Sequence, residues 1–213
     1  MKKTIIPSII AKNQKEFISR INKVKKNSKL IQIDVMDGKF VKNKSLMFDF
    51  KLPKIKCKYE AHLMLKNPEL WIKKNWKKFN AIIFHIESCE DGKQALNLIN
   101  LIKNKKRKVG IALNPKTSIS KIKPFLNKID AVLIMSVYPG KYGAKFLPFV
   151  LKKINPIKKL KPRLNIEVDG GINLKTIKMV SDSGADSFVS GSFLQKSRKP
   201  KDALEKLKAV INS

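Results

Sequence analysis

Cysteine is nearly absent. Cys57 and Cys89 are the only two among 213 residues, far apart and without CxxC spacing. That excludes a disulfide framework or a cysteine-built zinc site and leaves ordinary thiols in a reducing cytoplasm as the expectation. Acidic residues are also scarce, 16 against 47 basic ones, for a net charge of +31. Arginine occurs only at Arg20, Arg107, Arg163 and Arg198, so the charge is carried by lysine spread over every helical stretch. Nucleic-acid readers favour arginine and gather their charge on one element, so no nucleic-acid partner is expected. Lysine with abundant Asn and Ile is what an AT-rich codon pool favours. Steering of an anionic metabolite would be a side benefit. No apolar run is long enough to span a bilayer, so no membrane partner is expected. The start, Lys2-Lys3 then Thr4-Ile5-Ile6, faintly imitates a secretion signal. Pro7 and Ser8 interrupt it, Lys12 ends it, and no small-residue cleavage site follows, so a buried strand is expected.

What is present suits one globular unit. The hydrophobic content is 43% and the length supports one substantial core, so residues 1–213 read as a single domain. Short β-branched runs alternate with amphipathic lysine-rich stretches. The runs are Thr4–Ile9, Leu30–Val35, Lys58–Leu63, Ala81–His85, Val109–Leu113, Ala131–Ser136, Asn165–Val168 and Ser187–Val189. Helical patterns lie near Gln14–Lys25, Pro68–Lys78, Gly92–Asn104, Ile119–Asn127, Leu147–Leu160, Leu174–Ser183 and Lys201–Ile211, with a short helix expected within Asn43–Pro53. Asn67, Ser118 and Asn173 can cap their helices, Pro68 suits a first helical position, and Gly184 suits a left-handed stop. Such alternation means a parallel sheet. An open doubly wound sheet calls for a GxGxxG turn after the first strand; Ala11-Lys12-Asn13 stands there instead. A (β/α)8 TIM barrel is therefore the expected fold.

Polar residues sit at the carboxyl end of each expected strand: Ser8, then Asp34 and Asp37, His62, His85, Asn114, Ser136, Asp169, and Ser190-Gly191-Ser192. In a barrel these would converge on one mouth, where this architecture places its chemistry. Asp169-Gly170-Gly171-Ile172-Asn173 and Ser190-Gly191-Ser192 follow the last two strands, where backbone N–H groups commonly hold phosphate. Tyr138-Pro139-Gly140-Lys141-Tyr142-Gly143 resembles a mobile loop that could add amides or close over a ligand. Met36, Met64 and Met135 also fall near strand ends and suggest a soft apolar wall that excludes water.

In combination these segments resemble the ribulose-phosphate 3-epimerase family. The carriers are Ile6-Pro7-Ser8-Ile9, Asp34-Val35-Met36-Asp37-Gly38, His62-Leu63-Met64, Leu113-Asn114-Pro115, Met135-Ser136-Val137 and Glu167-Val168-Asp169-Gly170-Gly171-Ile172-Asn173. The resemblance implies a barrel of the ribulose-phosphate-binding type. It also implies interconversion of D-ribulose 5-phosphate and D-xylulose 5-phosphate in the pentose phosphate pathway. Asp34 and Asp169 would be the acid/base pair and also metal ligands, with His62 a further ligand that also touches substrate. Ser8, Met36, Met64 and Met135 would line the substrate. Gly140, Gly143, Gly170, Gly171, Gly191 and Ser192 would hold its phosphate. One divalent ion per subunit, Zn, Fe, Mn or Co, is implied, as is a homo-oligomer, a dimer or a hexamer. The chemistry is coherent, because inverting a carbon beside a ketone needs one carboxylate on each face and a cation to offset the enediolate charge.

Three positions depart from the family. Its first metal-binding histidine is Gln32 here, an amide that suits harder ions better than zinc. The histidine after Asp-Gly is Lys39. The Gly-Phe-Gly-Gly-Gln loop is Gly140-Lys141-Tyr142-Gly143-Ala144. Two other functions suit the same residues: an epimerase of another ketose phosphate such as allulose 6-phosphate, and a non-catalytic barrel binding phosphates or polyanions. Related decarboxylases and aldolases carry a lysine between their acids; Asp34-Val35-Met36-Asp37 has none. His85 is expected to stand behind a ligand or line the substrate. Trp71 and Trp76 are expected to pack their helix or meet another subunit.

Overall fold

The computed structural model describes residues 3–212; Met1, Lys2 and Ser213, the ends of the expected 1–213 domain, lie outside it. Among the described residues the strands are β1 (Thr4–Ile9), β2 (Leu30–Asp37), β3 (Lys44–Ser45), β4 (Lys58–Met64), β5 (Ala81–His85), β6 (Lys108–Leu113), β7 (Ala131–Met135), β8 (Asn165–Asp169) and β9 (Ser187–Ser190). All but β3 run parallel, in the order β1-β9-β8-β7-β6-β5-β4-β2, and pairing of β1 with β2 closes the ring. The closing seam is short. Only Ser8 opposite Gln32 and Ile9 opposite Ile33 are in register there, whereas β2 and β4 match from Leu30–Lys58 to Met36–Met64. The eight expected strands are all present, and the closed barrel displaces the open sheet.

Alternation along each strand builds two cores. Ile31, Ile33 and Val35 of β2 face outward into the large cluster shared with the helices. Gln32, Asp34 and Met36 face inward. A small apolar cluster of Ile6, Ile83, Ala112, Leu133, Met135, Val137 and Val189 fills part of the barrel interior. The helices are α1 (Gln14–Val24), α2 (Pro68–Asn75), α3 (Gly92–Asn104), α4 (Ile154–Leu160), α5 (Ile177–Asp182), α6 (Ser192–Lys196) and α7 (Pro200–Asn212). In α3, Ala95, Leu98, Ile99 and Ile102 make one buried stripe. Each of its Leu and Ile side chains stabilises the fold by about 1.5–3 kcal/mol.

Several expected elements differ, for local reasons. Ile119–Asn127 forms two 3-10 turns, Ile119–Lys121 and Lys123–Phe125, because Pro124 has no N–H to continue an α-helix. Leu147–Leu160 is 3-10 over Pro148–Lys153 before α4 begins, since Pro156 cannot bond the carbonyl of Lys152. The Leu174–Ser183 pattern starts its α-helix only at Ile177, because the preceding turn is tied to Asn173 and to Gly171 through Thr176. Asn43–Pro53 holds no helix: β3 pairs antiparallel with the end of β2, and Leu46 takes a left-handed φ of 54°. The short helix α6 was not foreseen. Ser118 does cap its turn, and Gly184 is left-handed at φ 95°. Asn67 makes no side-chain cap, while Asn13 and Asp91 do, accepting from Glu16 and Gln94. Trp71 packs against Phe50 and Phe79.

Candidate active site

The mouth is built where β2, β4 and β8 end. Asp34 and His62 are register neighbours on β2 and β4, while Asp169 ends β8, separated from β2 by β1 and β9 around the ring. All three side chains are buried, and they offer ligand atoms within 4.8 Å of one another. His62 Nδ1 lies 3.1 Å from Asp34 Oδ1 and 3.3 Å from Asp169 Oδ2. These three form a group that could hold a metal ion. Gln32 reaches the same centre from one inward position lower on β2. Its Nε2 donates to Asp34 Oδ1 and to Asp169 Oδ2, each at 2.8 Å, and lies 3.3 Å from His62 Nδ1. Its Oε1 is buried with no partner among the described residues.

Electrostatics follow from this crowding. Burial alone would push the His62 imidazole down, but the hydrogen bonds and charges of Asp169 and Asp34 hold it up at about 9. Burial pushes the Asp169 carboxyl above the ordinary range, with the charge of Asp34 acting in the same sense and His62 and Gln32 against it. One layer down, burial and like charge raise Glu60 well above its usual value and Glu167 to about 7.

A cavity of about 50 Å³ covers this centre. Its lining includes Ser8, Asp34, Met36, His62, Met64, Met135, Asp169, Gly170, Gly171, Gly191 and Ser192. Gly140 and Gly143 close it from the loop above. The structure thus gathers the expected site residues at one place, with Gln32 just beneath. Gly170 and Gly171 have φ of 113° and 66°, and a Cβ on Gly170 would lie 2.4 Å from Val137 Cγ2. Only glycine fits that turn.

Other strand-end residues turn away from the mouth. Ser136 Oγ donates to the carbonyls of Asp169 and Gly170, fixing their turn, and Ser190 Oγ donates to Ile172. Asp37 accepts the N–H groups of Lys39, Phe40 and Lys66, so it braces two loops. Asn114 gives its backbone N–H to Glu87. His85 does not reach the cavity lining; its Nε2 lies 2.9 Å from His62 Nε2.

Tyr142 is the contact that sequence reasoning missed. Its hydroxyl donates to Ser8 O at 2.8 Å and accepts from Ile10 N–H at 2.9 Å, and its ring fills the space beside Gly191. Arg20 stacks over that ring at 5.4 Å. The signal was a bulky residue within a loop that is glycine-rich in the resembled family.

Likeness to known proteins agrees with this geometry. The chain is 32% identical to a ribulose-phosphate 3-epimerase of Schizosaccharomyces pombe, over 97% of this chain and 93% of that protein. It is 34% identical to one of Bacillus subtilis, over 96% and 97%. Among solved structures, a 3-hexulose-6-phosphate synthase from Salmonella typhimurium superposes with a TM-score of 0.68 at 12% identity, covering 98% of both chains, which speaks for the fold alone. The ribulose-phosphate 3 epimerase family model matches residues 4–195, a span that holds all eight barrel strands and every side chain around the Asp34–His62–Asp169 centre. By that match and those identities, this chain belongs to the ribulose-phosphate 3-epimerase family.

Proposed function

We propose that the chain, as one domain, interconverts D-ribulose 5-phosphate and D-xylulose 5-phosphate by proton transfer at C3 between Asp34 and Asp169. The observation that carries this reading is the meeting of the two carboxylates at one buried centre. They come from non-adjacent strands and are bridged by a single Gln32 amide at 2.8 Å to each. The glycine turns after β8 and β9 lie in the same cavity wall and supply backbone N–H groups for a phosphate.

With the phosphate held by Gly170, Gly171, Gly191, Ser192 and the Gly140–Gly143 loop, the sugar runs toward the carboxylates. Ser8 contacts its hydroxyls, and Met36, Met64 and Met135 keep water from its reacting face. One carboxylate, ionised, takes the C3 proton; the electron pair left behind moves onto the ketone oxygen, giving an enediolate. The other carboxyl, protonated, delivers a proton to the opposite face as the ketone re-forms. The two groups have then exchanged protonation states, and reverse turnover or exchange with water resets them.

The donor set fits a divalent cation: two carboxylate oxygens and the His62 Nδ1 nitrogen, while Gln32 turns its Nε2 to that centre and would bring its orphaned amide oxygen there by a flip of the amide. Such an ion would polarise the ketone and offset the charge developing on its oxygen. We assign it to the Zn, Fe, Mn and Co group, with the amide favouring its harder members. A cytoplasmic setting accords with two free thiols and with the cytoplasmic rice isoform among the relatives. A homo-oligomer follows from the family resemblance and is checked by light scattering.

The test incubates the protein with ribulose 5-phosphate in D₂O, with and without chelator, beside Asp169→Asn. The expected result is deuterium at C3 and xylulose 5-phosphate, both lost in the variant and reduced by chelation. Wild-type protein giving neither product would overturn the epimerase reading. Conversion of allulose 6-phosphate alone would move the substrate to a longer sugar. Turnover indifferent to chelation would remove the metal only.

A further inference from the structure

Behind His62 the barrel holds a second row of polar groups. His85 is fully buried at the end of β5. Its Nε2 lies 2.9 Å from His62 Nε2, and the two rings lie 24° from parallel. Its Nδ1 lies 3.2 Å from Glu87 Oε2. Glu87 is anchored in turn, since its Oε1 accepts the Asn114 N–H at 2.8 Å. The Phe40 ring packs against the His85 ring at 4.7 Å between centroids. A carboxylate, two imidazoles and the candidate metal ligands thus form one unbroken chain.

With a divalent ion in place His62 is a neutral ligand, and counting donors and acceptors along the chain then leaves one arrangement. Two imidazole nitrogens at hydrogen-bond distance share a single proton, so one ring donates and the other accepts. An ionised Glu87 can only accept, which puts a proton on His85 Nδ1. A neutral His85 then has only a lone pair at Nε2, so His62 must donate from its own Nε2. His62 is left with its lone pair on Nδ1, the nitrogen that faces Asp34 and Asp169. The reverse direction needs a buried imidazolium at His85 pointing toward a site built for a dication, an unfavourable placement of like charges.

We propose that His85, held by Glu87, is a positioning residue: it locks His62 in the Nε2–H tautomer and so presents the Nδ1 lone pair to the divalent ion. This inference rests on the metal-assisted reading above. It differs from a packing role for His85, which would be indifferent to where the proton sits.

The chain contains only these two histidines, so ¹⁵N-histidine labelling resolves both rings. In wild-type protein loaded with Zn²⁺, NMR is expected to show His62 protonated at Nε2 and metal-shifted at Nδ1, with His85 protonated at Nδ1. Alongside, Zn²⁺ affinity is measured by competition with a chromophoric chelator. His85→Phe, which cannot accept a hydrogen bond, is expected to weaken Zn²⁺ binding about 10–100-fold. His85→Gln, whose amide oxygen can accept from His62, is expected to retain most of the affinity. The opposite tautomer in the wild type, or equal affinity in wild type and His85→Phe, would overturn the inference and leave the metal site standing. Wild-type protein that takes up no Zn²⁺ would overturn both. The position of the proton on His85 needs no variant to measure, and a proton on its Nε2 in place of Nδ1 overturns the inference even if His85→Phe does not fold.

Discussion

Replacing Gly170 with alanine tests how tightly the turn after β8 is built. Gly170 has φ 113°, a region open to glycine and costly for other residues, on the order of 1–3 kcal/mol. The added Cβ would meet Val137 Cγ2 at 2.4 Å and Cγ1 at 2.8 Å, and Val137 is itself buried in the barrel interior. Forcing a methyl into such packing adds about 1–3 kcal/mol. Gly170→Ala is therefore expected to destabilise by about 2–6 kcal/mol, a large part of a typical total of about 5–15 kcal/mol. Val137→Ala removes the two clashing methyls and leaves the backbone strain in place. The double variant should accordingly recover the packing share and show a coupling of about 1–3 kcal/mol in a double-mutant cycle. Urea denaturation of the four proteins measures it. Because Ser136 holds the carbonyls of both Asp169 and Gly170, activity should fall in Gly170→Ala even where the fold survives. Additive effects within about 0.5 kcal/mol, or a single-variant cost under about 1 kcal/mol, would refute the account.

Two further perturbations probe the loops around the mouth. Asp37 is partly desolvated, which raises its carboxyl, but the N–H groups of Phe40, Lys66 and Lys39 outweigh that and hold it below the ordinary aspartate value. A depressed folded value means stabilisation present at neutral pH and lost as pH falls below about 4. Asp37→Ala should thus cost about 2 kcal/mol at pH 7, and the gap from wild type should narrow in acid, as read by denaturant titration at both pH values. The cavity of about 50 Å³ leaves little room for a sugar phosphate, so the Tyr142 loop is expected to move when one binds. Tyr142→Phe removes two hydrogen bonds of that loop and should speed amide exchange at Ile10 about tenfold; unchanged exchange would mean that Tyr142 does not hold the loop shut.

Much of the fold was legible because its signals are local. Short β-branched runs marked all eight barrel strands, and Gly92–Asn104 was read to its observed ends. Helices failed where proline intervened, at Pro124 and Pro156, since over so few residues the apolar spacing of a 3-10 turn does not separate from that of an α-helix. The site was legible where one residue type at a strand end has one chemistry, as with Asp34, His62 and Asp169. It was illegible where a side chain chooses between partners across space. Ser136 and Ser190 could have faced the mouth and instead brace backbone turns. Gln32 reads as a weakened ligand in the sequence. In the fold its amide joins Asp34, two positions away, to Asp169, 137 positions away, a relation no spacing reveals.

The short seam between β1 and β2 has a consequence for how the ring breathes. A closed barrel has no free edge, so it opens first where adjacent strands share the fewest ladder bonds. Here that is a clasp of two residue pairs, Ser8–Gln32 and Ile9–Ile33, set at the active end. The lower half of β1 leans on β9 instead, from Thr4 opposite Ser187 to Pro7 opposite Ser190. By that count, fraying of this hoop is expected to start between the strand that carries Ser8 and the one that carries Gln32 and Asp34. The shortest register of the scaffold and its proposed machinery share an address, so a phosphate or cation bound as proposed would tighten the ring by fastening its clasp.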